Sequence, residues 1–217
     1  LGRKNPSTDS HVALIIKATG NAALDAIISN AGKGLILTSL SQAESLGLTL
    51  SASANGASPF YEHISEFFRL APEGTLYLFN DKTVGNLLTF IKENATIKGF
   101  GIVDDFGAAT QEATIAQYQT NIINALATEN RLIDFGIIGW NNFNIANAID
   151  LTELDAPQIS VLVVGSGTSN FAAVGAFLGM LAVRKVNENA GSVDIQNKPL
   201  EKRGSSDYTL TDKNKGL

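Results

Sequence analysis

The residues best suited to chemistry in this chain are few, and they fall where apolar runs end. Val164-Gly165-Ser166-Gly167-Thr168 lies between a strand-like run and a helical one. A dinucleotide fingerprint would sit there, with helix N–H groups facing the phosphates. Its third glycine is missing, because Asn170 stands at that position, and no acidic residue follows at the end of a next strand. Gly165 and Gly167 equally suit any tight strand-to-helix turn. Asp81, and Asp104 with Asp105, follow two other apolar runs. Carboxylates gathered at the carboxyl edge of a parallel sheet could hold Mg²⁺. Aspartates after strands are also ordinary turn and cap residues.

The remaining candidates are weaker. His63 falls inside a helical segment and His11 precedes the first strand. Ser65 and Glu66 neighbour His63, but a base needs a positioned partner and no triad pattern emerges. The expectation for His63 is an exposed or half-buried position on its helix. Trp140 and Phe143, set among Asn141, Asn142 and Asn144, could form a sugar-stacking or protein-contact loop, or an aromatic lid at the edge of the core. There is no cysteine, which excludes disulfides, thiolate metal sites and cysteine nucleophiles.

These candidates need a scaffold, and the hydrophobic pattern supplies one. Strand-like runs at Val12–Lys17, Gly34–Leu37, Thr75–Phe79, Lys98–Val103, Asp134–Ile138 and Ile159–Val164 alternate with helical segments. The uninterrupted β-branched run Ile159–Val164 suits a central parallel strand. A helix is expected around Ala22–Ile28. Ser41-Gln42-Ala43-Glu44 fits a capping box for a short helix to Leu46, stopped by Gly47. Ser58-Pro59 starts another, with Phe60, Ile64, Phe67 and Phe68 on one face and Glu62, Glu66 and Arg69 elsewhere. Thr83–Glu93 and Gln111–Thr128 carry clear apolar stripes, the latter through Ile115, Tyr118, Ile122 and Leu126. Ile145–Ile149 fits a short helical turn. Asn170 can cap a helix over Phe171–Asn187, whose small residues Ala172, Gly175, Ala176, Gly179 and Ala182 would let another backbone approach closely.

The expected fold is therefore α/β: a mostly parallel sheet sandwiched by helices, with extended polar terminal arms. Residues 1–10 read as an N-terminal arm, 11–190 as the α/β domain, and 191–217 as a C-terminal arm or the start of a further element. The 217 residues carry 44% hydrophobic and 17% charged positions, which is ample for a core and sparse for a surface. Such a surface fits one covered by partners, or a neutral soluble domain. A formal charge of −5 argues against nucleic acid, which needs a net basic face. The longest apolar stretch, Phe171–Val183, is short of the ~20 residues that cross a bilayer. No secretory signal is visible, since the segment from Leu1 to Ser10 is polar.

Several segments carry a family likeness. Tyr61-Glu62-His63-Ile64-Ser65-Glu66-Phe67-Phe68-Arg69-Leu70, closing with Pro72 and the run Leu76–Phe79, resembles the sheath-like proteins of bacteriophage contractile tails, in a branch found among prophages. Leu1-Gly2-Arg3 with Ser7-Thr8-Asp9 is similar to that branch's N-terminal arm. The segment from Ala172-Ala173-Val174-Gly175 through Val186-Asn187-Glu188-Asn189 is similar to its alanine- and glycine-rich helix. Thr211-Asp212-Lys213-Asn214-Lys215-Gly216 resembles the point where the family's chain continues into a further strand, so the resemblance implies a C-terminally truncated sheath protein or a short relative. It further implies a self-assembling, non-enzymatic subunit without a cofactor. Such subunits stack around an inner tube, meet baseplate proteins, and contract. The terminal arms, including Leu1, Gly2, Arg3, Tyr208, Thr209 and Leu210, would add strands to neighbouring subunits. The implied setting is the virion tail, or the bacterial cytoplasm when a prophage is expressed. The open alternative is a nucleotide- or Mg-binding α/β enzyme using Gly165, Ser166, Gly167 and Thr168, or Asp81, Asp104 and Asp105.

Overall fold

Alternation along each strand builds two cores, one on each face of a single sheet. In β1 (His11–Ile15), Val12 and Leu14 turn to one face while Ala13 and Ile15 turn to the other. β3 (Thr75–Phe79) repeats this with Leu76 and Leu78 against Tyr77 and Phe79. A strand buried on both faces is apolar throughout, which is why these runs lack an inside–outside alternation in sequence. The computed structural model describes residues 11–54, 59–104, 111–143, 154–165 and 171–183.

Among the described residues the sheet has six strands in the order β2-β3-β1-β4-β5-β6. β2 (Leu35–Leu37) is antiparallel to β3, and the other pairings are parallel. β4 spans Gly99–Asp104, β5 Phe135–Phe143 and β6 Ile159–Gly165. The parallel strands thus run second, first, third, fourth, fifth across the sheet, an order typical of doubly wound folds. The expected α/β architecture is present. One placement differs: among the described residues β6 stands at the edge of the sheet, not at its centre. Apolar content marks a strand as covered but does not say by how many neighbours.

One core is closed by α1 (Ala22–Ser29), α2 (Leu40–Ser45), α4 (Phe60–Leu70) and α8 (Val174–Ala182). The other is closed by α5 (Val84–Glu93) and a long helix made of α6 (Gln111–Tyr118), a π-helical segment Gln119–Asn124 and α7 (Ala125–Thr128). Ile115, Tyr118, Ile122 and Leu126 are all buried, as their spacing predicts. The π segment buries Gln119, whose amide exchanges hydrogen bonds with Gln158 at the foot of β6.

Local signals account for several helix starts. Asn21 accepts from the N–H groups of Ala23 and Leu24 and opens α1. The cap of α2 is Ser39 rather than a box starting at Ser41: Ser39 Oγ accepts from the Gln42 N–H at 3.2 Å, and Gln42 Oε1 accepts from the Thr38 N–H at 2.9 Å. Pro59 precedes α4 directly, while Ser58 lies outside the described residues. A further short helix, α3 (Leu50–Ala54), packs on α4. Ile145–Ile149 and Asn170 lie outside the described residues.

The largest departure from expectation is α4. Glu62, His63, Ser65 and Glu66 are buried along with the phenylalanines. The helix is covered on its second face as well. Tyr61 Oη donates to Glu44 Oε1 of α2 at 2.7 Å, Ser53 Oγ of α3 donates to Glu62 Oε2 at 2.6 Å, and α8 packs along it. The α8 contact is backbone to backbone. A Cβ on Gly175 would stand 2.6 Å from His63 Cα, and one on Gly179 would stand 2.9 Å from the Phe67 carbonyl oxygen. The close approach expected of the small-residue helix is met here, at two glycines one turn apart.

Candidate functional site

The strand order dictates where a crevice must open. The connections leaving β1 and β4 depart to opposite faces, to α1 and to α6. Adjacent strands whose loops diverge leave a gap at their carboxyl ends. A cleft of about 190 Å³ lies there. Ile15 and Ile16, with Ile102 and Val103, form its apolar part. Lys17 and Ala18 follow from β1, and Asn80, Asp81 and Lys82 follow from β3.

The loops around the cleft are held by polar side chains from within the fold. Asp25 Oδ1 accepts from the Thr19 N–H at 2.7 Å, and Asn80 Nδ2 donates to the Asp25 carbonyl at 3.1 Å. This ties the β1–α1 and β3–α5 loops together. Asp81 Oδ1 accepts from the Thr83 N–H at 2.8 Å, and Oδ2 accepts from Asn86 Nδ2 at 2.6 Å. Partial burial pushes the Asp81 carboxyl pKa up, but the hydrogen bonds from Asn86 and Thr83 outweigh it and hold the group below its ordinary value. The Lys82 carbonyl accepts from Tyr118 Oη at 3.2 Å, which fixes the loop to the long helix beneath.

The sheet separates the candidates that the sequence singled out. Asp81 follows β3 and Asp104 closes β4, with β1 between them. Two strand spacings put those carboxyl ends about 10 Å apart. Gly165 closes β6, which is four positions from β3 in the sheet. That is about 19 Å from the Asp81 strand. The glycine-rich loop and Asp81 therefore belong to different parts of the edge. Asp105, Ser166, Gly167 and Thr168 lie outside the described residues, as do Leu1, Gly2, Arg3, Tyr208, Thr209 and Leu210. Among the described residues, no three acidic or histidine side chains group as a metal site would require.

The histidines stand away from the cleft. His63 is 3% exposed, against the expectation of an exposed or half-buried side chain. Its Nδ1 accepts from the Gly175 N–H at 3.2 Å, so a side chain from α4 caps the first turn of α8. Burial lowers its pKa to about 4 and keeps the ring neutral. His11 opens β1, at the opposite end of the strand, beside the Tyr77 ring; burial lowers its pKa too. Trp140 corrects another expectation. It lies within β5, not in a loop, and is buried in the core under α5 and α6. Phe143 ends the same strand, opposite Gly165.

Lys17 and Asn80 are cleft residues that sequence reasoning passed over. Lys17 directly ends the first apolar run, but only the strand order reveals that its neighbour in the sheet is β4 and that a crevice opens beside it.

A three-layer domain with this strand order and a crevice beside its first strand is a doubly wound α/β domain. The chain belongs to the family described as DUF2586, N-terminal domain, whose profile matches residues 1–215. No curated protein and no solved structure gives a significant match.

Proposed function

We propose that this chain is a structural subunit of a contractile, phage-tail-like sheath, assembling with copies of itself around an inner tube. The observation that carries the reading is the character of β6. Among the described residues it is the seven-residue strand at the edge of the sheet, Ile159–Gly165, with no charge and no proline. Edge strands of monomeric proteins are usually short, charged or kinked, because an open ladder recruits other chains. The opposite edge, β2, follows that rule with three residues. Ser160 is exposed, and Ile159, Val161, Leu162 and Val163 are half-buried. A strand of this kind is suited to take another strand beside it, as an extended arm would supply.

Two further features support a mechanical role. The α4–α8 contact is built from close backbone packing and buried hydrogen bonds, which suits a body that moves as one piece. Contraction would then be a change in how rigid domains pack, with terminal arms as hinges. The partners are copies of the chain, an inner tube protein and baseplate proteins, in a virion tail or in a bacterium expressing a prophage.

Electron microscopy of the full-length protein, mixed with its tube partner, tests this. Ringed or helical tubes are expected. Substituting Ser160→Pro, at the exposed position of the strand, should abolish tubes while leaving the domain folded by circular dichroism. Monodisperse protein under all assembly conditions, from a folded wild-type chain, would overturn the proposal.

A further inference from the structure

β2 ends the described sheet on the side opposite β6. It consists of Leu35, Ile36 and Leu37, with no charge and no proline, and Ile36 is 45% exposed. Its shortness blunts this edge, but its composition does not. In an antiparallel pair, alternate residues turn their N–H and C=O groups toward the partner strand and away from it. Leu35 and Leu37 lie opposite Leu78 and Leu76 of β3, and the Gly34 N–H is taken by the Ser29 carbonyl at 3.0 Å. Leu35 and Leu37 therefore serve the ladder with β3, and Ile36 and Thr38 turn their backbone groups to the open side.

One side chain meets them there. Gln42 Nε2 donates to the Ile36 carbonyl at 3.3 Å, and Gln42 Oε1 accepts from the Thr38 N–H at 2.9 Å and from Thr38 Oγ1 at 3.2 Å. The amide has only this orientation, because the Ile36 carbonyl only accepts and the Thr38 N–H only donates. One residue of a parallel strand laid alongside would make the same two backbone bonds. Gln42 is the third residue of α2, whose cap is Ser39. A glutamine at that position ordinarily reaches back to the N–H of the cap residue. This one reaches past the cap to the strand, which helix capping does not require.

We propose that Gln42 closes the β2 edge: its side-chain amide takes the place of a neighbouring strand's peptide group and keeps a second copy of this chain from pairing there. The reading comes from the β2 edge alone and holds whether or not the chain forms a sheath. Residue-resolved amide exchange and sedimentation velocity of the full-length protein, without a tube partner, provide the test. Gln42→Met keeps the length of the side chain and removes its hydrogen bonds. Gln42→Ala is measured beside it, with folding checked by circular dichroism. The Thr38 amide should exchange about tenfold faster in both variants than in the wild type, as loss of its hydrogen bond allows. Both variants should associate with rising concentration more than the wild type does. Adding Ile36→Lys, which charges the exposed edge, should remove that association. Gln42→Glu, which keeps an acceptor for Thr38 and puts a charge at the edge, should behave as the wild type in both measurements. Unchanged Thr38 exchange in Gln42→Met and Gln42→Ala, no added association in either, or association that survives Ile36→Lys would overturn the proposal.

Discussion

The two faces of the sheet are covered in opposite ways. On one, α8 is held close to α4 through Gly175 and Gly179, and close to the sheet at Gly101, where an added Cβ would stand 2.6 Å from Val174. On the other, α5 and the α6–α7 helix stand off on large side chains: Phe90 stacks on Phe79 with ring centroids 4.3 Å apart, and Tyr118, Ile122 and Leu126 fill the remaining space. The first face relies on backbone shape, the second on side-chain volume. The first has no slack, because backbone cannot change rotamer. The second can repack. Substitutions should therefore fail in opposite directions: additions are harmful on one face and deletions on the other.

The largest effect should come from adding to the first face. Gly175→Val would place its Cβ against the His63 backbone, which α4 holds fixed from the far side through Ser53 and Glu44. Overpacking usually costs 1–3 kcal/mol, and here neither helix can yield, so a loss of about 4 kcal/mol or more is expected in urea unfolding. A loss below about 1 kcal/mol would mean that α4 and α8 can separate freely. On the second face the damaging change is a deletion. Phe90→Ala removes a fully buried ring and leaves a cavity beneath Phe79. Such changes cost roughly 3–5 kcal/mol, and the lower part of that range is expected because neighbouring side chains can relax inward. A double variant with Gly175→Val should be additive, since the sheet separates the two sites.

The next effect sharpens the contrast, because it uses a titratable group on the rigid face. His63 is neutral when folded, with its pKa lowered to about 4 by burial and its Nδ1 accepting from Gly175. In the unfolded chain it titrates near 6.5. Above that pH both states are neutral and stability is unaffected. Between about 6.5 and about 4 the unfolded state takes the proton first, so stability falls as pH falls, by about 3 kcal/mol in all. Below the folded pKa this contribution stops changing. Subtracting the stability curve of His63→Gln from that of the wild type should isolate the slope within this window. A flat difference would mean that His63 titrates normally and that the helix pair is open to water.

Much of this was legible in the sequence, for reasons that also mark what was not. Strand positions showed through because strands buried on both faces must be apolar throughout, as Val12–Ile16 and Leu76–Phe79 are. The small residues of α8 announced a close neighbour because only glycine and alanine permit one. Periodicity, however, reports one face of a helix at a time. In α4 the phenylalanine stripe was visible, and Glu62, His63 and Glu66 therefore read as the solvent side. Their burial depends on α2 and α3, which precede it, and on α8, which comes from a distant part of the chain. Sheet order was hidden for the same reason. Ile159–Val164 has the composition of a central strand but lies at an edge among the described residues. The cleft at Lys17 and Lys82 follows from that order alone. Even the cap at Ser39 was settled by a detail of geometry, since Ser39 and Ser41 are equally good candidates by type.

The smallest effect is the control on which the comparison turns. Gly85 is also a helix glycine, in the first turn of α5, and its helix covers the loosely packed face. It is exposed, and a Cβ built there meets no atom within 4 Å. Nothing in its surroundings requires glycine, so its cost is only the extra freedom that the unfolded chain must lose. Gly85→Ala should accordingly stabilise the protein by about 0.5–1 kcal/mol, visible as a small rise in the urea midpoint with an unchanged slope. The same residue type would then give opposite signs of effect on the two faces of one sheet. If Gly85→Ala destabilised the protein instead, the α5 face would be as intolerant of added atoms as the α8 face, and the contrast between backbone-limited and side-chain-limited packing would collapse.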